Sequence, residues 1–119
     1  MTPAPTKPEI ALADLAKIDI RVGAILAVED VPVADKLARL RVSFDDHERT
    51  IVSGMKAERA DPREIEGRQA LFVVNLAPGK MKGVLSEGMV FDLGFEDGVT
   101  PVLAAPEAPV PGGTRAGSA

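Results

Sequence analysis

Ile18-Asp19-Ile20-Arg21-Val22-Gly23-Ala24-Ile25-Leu26-Ala27-Val28-Glu29 is the stretch whose reading decides the fold. Its even positions, Ile18, Ile20, Val22, Ala24, Leu26 and Val28, are all apolar, and Asp19, Arg21, Gly23 and Glu29 on the odd positions are not. Ile25 and Ala27 break the alternation. Period two marks a strand with one buried face, here running well beyond the usual five or so residues. Gly23 in its interior permits the bend or bulge by which one strand serves both halves of a small barrel.

Working outward, the next strand is cleaner. Ala38, Leu40, Val42 and Phe44 share one face, while Arg39, Arg41 and Ser43 share the other. Asp45-Asp46-His47-Glu48 makes a polar turn and Thr50-Ile51-Val52-Ser53 a third strand, so the pair reads as a hairpin. Asp61 is a good N-cap, Pro62 suits the first helical position and Gly67 supplies a stop, which predicts a short helix. Ala70 to Val74 is a continuous apolar run, as in a strand covered on both faces. Met89, Phe91, Leu93 and Phe95 alternate as a further strand, and Val99 to Ala104 supplies the last.

This order predicts an all-β chain: a five-stranded OB-fold barrel with a short helix and N- and C-terminal extensions. A generic small β-barrel fits the pattern equally well. Residues 1–9, with three prolines, read as a flexible arm, and Ile10 to Ala16 could hold one helical turn. The barrel domain is expected over 10–115, with 116–119 a disordered tail. The Pro- and Gly-rich end from Pro106 reads as extended and partly docked.

Length and composition bound the function. The 119 residues make one domain, and 45% hydrophobic with 27% charged residues is ordinary for a folded, soluble protein. No cysteine is present, which excludes a disulfide scaffold, a zinc knuckle and an iron–sulfur site, and a single His47 excludes multi-histidine metal sites. Neither a metal nor another cofactor is expected. No apolar run approaches a membrane span and no signal peptide opens the chain, so a cytoplasmic protein is expected.

Enzymatic readings fail on inventory. His47 lies in a charged turn with no marked nucleophile nearby, and Asp45/Asp46 and Glu96/Asp97 also fall in turns. Gly79-Lys80 lacks both the upstream glycine and the following Ser or Thr of a phosphate loop. No catalytic constellation is present.

A binding surface is better supported, although the net charge is −4 and the chain has four Phe but neither Tyr nor Trp. Between Glu66 and Glu87 no acidic residue occurs, while Arg68, Lys80 and Lys82 fall inside that window. Arg39 and Arg41 share the outward face of the second strand and Arg21 lies on the polar face of the first, where an OB-fold takes its ligand. These arginines either grip phosphates or pair with Asp19, Glu29 or Asp35 across the sheet. In Asn75-Leu76-Ala77-Pro78-Gly79-Lys80-Met81-Lys82-Gly83, the turn at Pro78-Gly79 leads into an extended chain with Lys80 and Lys82 on one side. With Ser86 and Met89 following, that edge suits a sugar-phosphate and a base. An ordinary hairpin with solubilising lysines and a core Met89 is the competing reading.

Several ordered motifs then carry a resemblance: Asp19-Ile20-Arg21-Val22-Gly23, Ala34-Asp35-Lys36-Leu37, Arg49-Thr50-Ile51-Val52-Ser53-Gly54, Gly67-Arg68, the Asn75 to Gly83 segment and Ser86-Glu87-Gly88-Met89. The chain resembles the tRNA-binding domain at the C-terminus of many methionyl-tRNA synthetases and in free-standing bacterial tRNA-binding proteins. The chaperone CsaA and the endothelial monocyte-activating polypeptide domain belong to the same group. The resemblance implies an OB-fold that dimerises outside the barrel and binds tRNA by shape and backbone, without catalysis. It places binding roles on Lys36, Ser53, Asn75, Lys80, Lys82, Ser86 and Met89: phosphates for the lysines, directional hydrogen bonds for Asn75 and Ser86, a sugar or unstacked base for Met89. An aminoacyl-tRNA synthetase is an implied partner.

The chain departs from the family where Val31-Pro32-Val33 replaces a His-Pro-Asn loop and where Met55-Lys56-Ala57-Glu58 replaces a more basic, aromatic segment. Both departures, with the net acidity, imply weak and salt-sensitive binding. The rival is a CsaA-like secretion chaperone, whose dimer groove would take unfolded or preprotein peptides on Met55, Met81 and Met89. Gly88, where chaperone relatives tend to have an apolar residue, favours the tRNA branch.

Overall fold

The computed structural model describes residues 2–118; residue 1 of the expected arm and residue 119 of the expected tail lie outside them. A single helical turn, α1 (Leu12–Leu15), precedes the barrel. The long strand, β1 (Ile20–Asp30), is followed by β2 (Ala38–Ser43) and β3 (Glu48–Ser53). Two 3-10 turns, Met55–Ala57 and Pro62–Ile65, lead to β4 (Gln69–Val73). Then come β5 (Gly79–Met81), β6 (Val84–Ser86), β7 (Met89–Val90), β8 (Asp92–Leu93), a 3-10 turn at Phe95–Asp97 and β9 (Val102–Leu103).

β1 uses its two halves differently. From Ile20 to Ala24 it pairs antiparallel with β4, and from Ala24 to Asp30 it pairs with β2. The resulting curled sheet has the order β3-β2-β1-β4-β7. Ile25 faces Val42 and Ala27 faces Arg41, so Leu26 is the extra residue of a β-bulge. The bulge explains why Ile25 interrupts the sequence alternation: it turns inward and is fully buried, while Leu26, expected inside, is exposed.

Gly23 has a different role from the bulge expected of it. A Cβ there would lie 2.6 Å from Val42 Cγ1 and 2.9 Å from the Phe44 ring. The glycine lets β1 pass close over the β2 core face, and the irregularity sits at Leu26 instead.

The apolar face of β2 is buried as its alternation predicts, with Ala38, Leu40 and Val42 wholly inaccessible and Phe44 nearly so. Ile25, Leu40, Ile51, Ile65 and Phe72 complete the centre. Phe44 meets Phe72 edge to face at 5.6 Å, a favoured aromatic geometry. The predicted short helix is a 3-10 turn capped by the Asp61 carboxylate, which accepts from the Arg63 amide; it delivers Ile65 to the core.

The predicted strand from Met89 to Phe95 is broken. β7 pairs with β4, β8 leaves to pair with β9, and Phe95 enters a 3-10 turn flanked by Gly94 and Gly98 at φ +119° and +69°. These left-handed glycines turn the chain away, and Met89, Leu93 and Phe95 end up exposed.

The proline-rich end docks along β1. Gly113 donates to the Val22 carbonyl, Val22 donates to Thr114, and Ala116 donates to Ile20. Further back, the Gln69 side-chain amide exchanges two hydrogen bonds with the backbone of Val110, at 2.6 and 3.1 Å. The chain is thus an all-β, OB-like half-barrel with short helical turns.

Candidate nucleic-acid interface

The β5–β6 hairpin organises the site. Met81 pairs with Val84, leaving Lys82 and Gly83 as a two-residue loop. Their φ angles are +50° and +81°, the left-handed pair that a type I′ hairpin requires. A lysine in that conformation is strained relative to glycine, and such strain tends to sit at functional positions.

The reversal at Lys82 separates two lysines that the sequence placed on one side of an extended chain. Lys80 lines a groove of about 460 Å³ between β3, β5 and β7, together with Ser53, Ser86, Leu76 and Met89. Lys82 lines a neighbouring groove of about 550 Å³ whose far wall is the β1–β2 loop, Ala34-Asp35-Lys36-Leu37. Met81 belongs to both grooves. Six of the expected residues, Lys36, Ser53, Lys80, Lys82, Ser86 and Met89, therefore gather around one hairpin. The β1–β2 loop and the β5–β6 hairpin correspond in position to the loops an OB-fold uses for ligands.

The cations differ in availability. Lys36, Lys80 and Lys82 are exposed and make no hydrogen bond or ion pair with another described residue. Arg21, Arg39 and Arg41 are paired within the chain. Arg21 binds the Asp19 carboxylate through Nε at 3.0 Å and Nη2 at 3.1 Å, and its bonding, opposed by partial burial, holds the Asp19 carboxyl below the usual range. Arg39 faces Glu29 at 3.7 Å and Arg41 faces Glu48 at 3.3 Å. Of the partners weighed for these arginines, Glu29 pairs with Arg39 across the sheet and Asp19 pairs with Arg21 two residues along the same chain, and Glu48 is a partner that the sequence did not suggest.

Two polar residues expected at the site are also engaged internally. The Asn75 side chain accepts from the Asp19 amide at 2.8 Å and donates to the Lys17 carbonyl at 2.6 Å, pinning the entry to β1. Ser86 is buried; its hydroxyl accepts from the Val52 amide and donates to the Gly88 carbonyl. With the Glu87 amide donating to Thr50 and the Glu87 carboxylate accepting from the Thr50 amide, Ser86 joins the β6 end to β3 and closes the half-barrel.

Sequence reasoning missed two groove residues. Phe95, predicted on a strand, is 64% exposed and lines the Lys80 groove. Glu58 lines the same groove half-buried, its carboxylate without a hydrogen-bond or ion-pair partner among the described residues. Burial, reinforced by Asp92 and opposed by Arg59, raises the Glu58 carboxyl above the ordinary glutamate value. No sequence signal marked either residue, because both positions depend on the turns at Gly54 and Gly94.

The family model of the tRNA binding domain matches residues 20–115. The chain belongs to the tRNA-binding domain family. It is 45% identical over 112 residues to the methionine–tRNA ligase of Porphyromonas gingivalis strain W83, covering 94% of this chain and 16% of that protein. It is 41% identical over 112 residues to the Nitrosomonas europaea methionine–tRNA ligase, again covering 94% and 16%. The chain thus spans about a sixth of the curated relatives it matches. Among solved structures, a MetRS-related protein from Pyrococcus horikoshii superposes with a TM-score of 0.83 at 34% identity, covering 92% of this chain and 99% of that one. The chaperone CsaA of Bacillus anthracis superposes with a TM-score of 0.79 at 25% identity, covering 92% and 100%.

Among the described residues, no helix is long and apolar enough to cross a membrane.

Proposed function

We propose that this tRNA-binding domain works as a non-catalytic, cytoplasmic homodimer that grips the backbone of tRNA by shape. The observation that carries the reading is that three lysines, Lys36, Lys80 and Lys82, unpaired among the described residues, line two grooves that share Met81. Free ammonium groups attract phosphates without first having to leave a carboxylate, whereas Arg21, Arg39 and Arg41 would have to break ion pairs. Three such contacts make binding modest and strongly salt-dependent. In this reading Ser53 and Met89 contact sugar or base, and Asn75 and Ser86 act by holding the loop in place.

Dimerisation is supported by α1, in which no residue is buried. Leu12 and Leu15 stand exposed there with Ile10 just before them, and Val99 and Val102 stand exposed toward the other end of the chain. Isologous pairing would cover such apolar surface and join two sites into one footprint. An aminoacyl-tRNA synthetase remains the partner class favoured by the methionine–tRNA ligase relatives.

A test compares two variants for binding of bulk tRNA. Lys36→Ala/Lys80→Ala/Lys82→Gly is expected to abolish measurable binding, while Arg39→Ala/Arg41→Ala retains it. The opposite ranking moves the site to the β2 face.

The second reading, a CsaA-like chaperone for unfolded peptides, draws support from the exposed Leu76, Met81, Leu85 and Met89. Two observations weigh against it. Met55, one of its three methionines, is buried in the core. At Gly88 a Cβ would meet the Val73 carbonyl oxygen at 2.7 Å, so the apolar residue usual in chaperone relatives does not fit this backbone.

A further inference from the structure

The Lys80 groove is divided by chemistry. It is lined by a cation, Lys80, by the exposed apolar residues Leu76, Met81, Met89 and Phe95, and by two acids, Glu58 and Asp92. A groove built only to follow a phosphate chain has no use for an unpartnered acid, which repels every phosphate that approaches. One Asp92 oxygen is already occupied by the Phe95 amide at 3.2 Å, but the Glu58 carboxylate has no hydrogen-bond partner among the described residues. At about 460 Å³ the groove falls within the size range of small-ligand pockets, roughly 300–1,000 Å³.

We propose that this groove seats one unpaired guanine of the bound RNA, with Glu58 reading its Watson–Crick edge, Phe95 offering the stacking face and Lys80 holding the adjoining phosphate. The inference rests on the RNA-binding reading above and adds base selectivity to it. An ionised carboxylate only accepts hydrogen bonds, and its two oxygens match two parallel donors. Guanine alone among the four bases presents two adjacent donors, the N1 imino and the N2 amino hydrogens, on its Watson–Crick edge. Uracil offers one imino hydrogen between two carbonyl oxygens, each repelled by the acid. Adenine and cytosine each place an acceptor beside their amino group. Single-stranded RNA is commonly recognised this way, by a base splayed onto an aromatic ring with its edge hydrogen-bonded.

This assignment also gives a use to the Met55-Lys56-Ala57-Glu58 departure noted in the sequence. Glu58 enters the groove because Met55 anchors its 3-10 turn in the core. Phe95 reaches the same groove because the strand breaks at Gly94.

The test uses labelled single-stranded RNA pentamers that differ only in the central base: guanine, inosine, adenine or uracil in a uridine background. The full chain and its Glu58→Gln variant are titrated by fluorescence anisotropy, with bulk tRNA in parallel. Wild type is expected to bind the guanine probe about tenfold more tightly than the uracil and inosine probes; inosine lacks only the N2 amino group. In Glu58→Gln that preference collapses. Equal binding of all four probes by wild type, with lysine-dependent tRNA binding intact, overturns the base assignment and leaves the backbone reading standing. A guanine preference unchanged by Glu58→Gln overturns the role of Glu58. Failure to bind any RNA overturns both readings together.

Discussion

The Ser86 hydroxyl accepts the backbone amide of Val52 at 3.0 Å and so fastens the β6 end to β3. Ser86→Ala removes that acceptor and leaves a buried amide without a partner, a loss of about 1–3 kcal/mol. Chemical denaturation should show that decrease. Well below the transition, tRNA affinity of Ser86→Ala should stay within about twofold of wild type, because both roles of the hydroxyl are used inside the chain. A much larger affinity loss in a fully folded variant would instead make Ser86 a direct RNA ligand.

Lys82 combines a free charge with a left-handed backbone at φ +50°. Lys82→Gly should hold or raise the melting temperature, since glycine adopts this conformation without steric penalty. Lys82→Ala should be less stable than Lys82→Gly by about 1 kcal/mol. Both should lose the same RNA contact, seen as a fall of roughly 0.7–0.9 in the slope of log affinity against log salt. A Lys82→Gly variant that binds as wild type does would remove this lysine from the site.

Glu58 gives the acid limb of the stability profile a defined sign. Its carboxyl is raised in the folded state, chiefly by burial and then by Asp92, with Arg59 opposing. The folded protein then holds this proton more tightly than the unfolded chain. The penalty on folding is fully present above the raised folded value. It fades as pH falls through that value and is gone below the unfolded one. Glu58→Gln should therefore be more stable than wild type near neutrality, with the difference shrinking as the solution is acidified. Equal stability across that range would show that the groove solvates the carboxylate fully.

Gly23→Ala tests the close passage of β1 over β2. With Val42 Cγ1 only 2.6 Å from the added methyl, the core must shift, at a cost of about 1–3 kcal/mol. Thermal melts would show it directly. If Gly23 only served flexibility, alanine would leave the melt almost unchanged.

Leu12→Ser/Leu15→Ser tests the proposed homodimer, because neither side chain is buried against its own chain. Light scattering should report a monomer that still melts cooperatively. An unchanged dimer would shift the interface to other exposed apolar residues such as Val99 and Val102.

Much of the barrel was legible because binary patterning is local. The β2 alternation, the β2–β3 hairpin and the Asp61-Pro62 cap all depend on residues close in sequence. What failed depended on backbone reversals whose consequences are three-dimensional. The bulge at Leu26 inverted the expected faces of Ile25 and Leu26. The turn at Lys82-Gly83 sent Lys80 and Lys82 into different grooves, although alternation in a straight strand would have aligned them. The site residues drawn from residue type alone also divided by partner. Arg39 and Arg41 had carboxylates on the neighbouring strand within reach and Arg21 had one two residues away, while Lys36, Lys80 and Lys82 had none among the described residues. Glu58 and Phe95 could not be found from spacing, since the two residues that meet in one groove lie far apart in the chain.

The central claim is that unpaired lysines around the β5–β6 hairpin hold tRNA phosphates. The most direct measurement is an anisotropy titration of labelled bulk tRNA at about 50 mM and about 200 mM salt, for wild type and for Lys80→Ala/Lys82→Gly. The account predicts saturable wild-type binding that weakens steeply with salt, and a variant with lower affinity and a flatter salt dependence. Wild-type binding that is absent at the lower salt, or a variant indistinguishable from wild type at both, would contradict it.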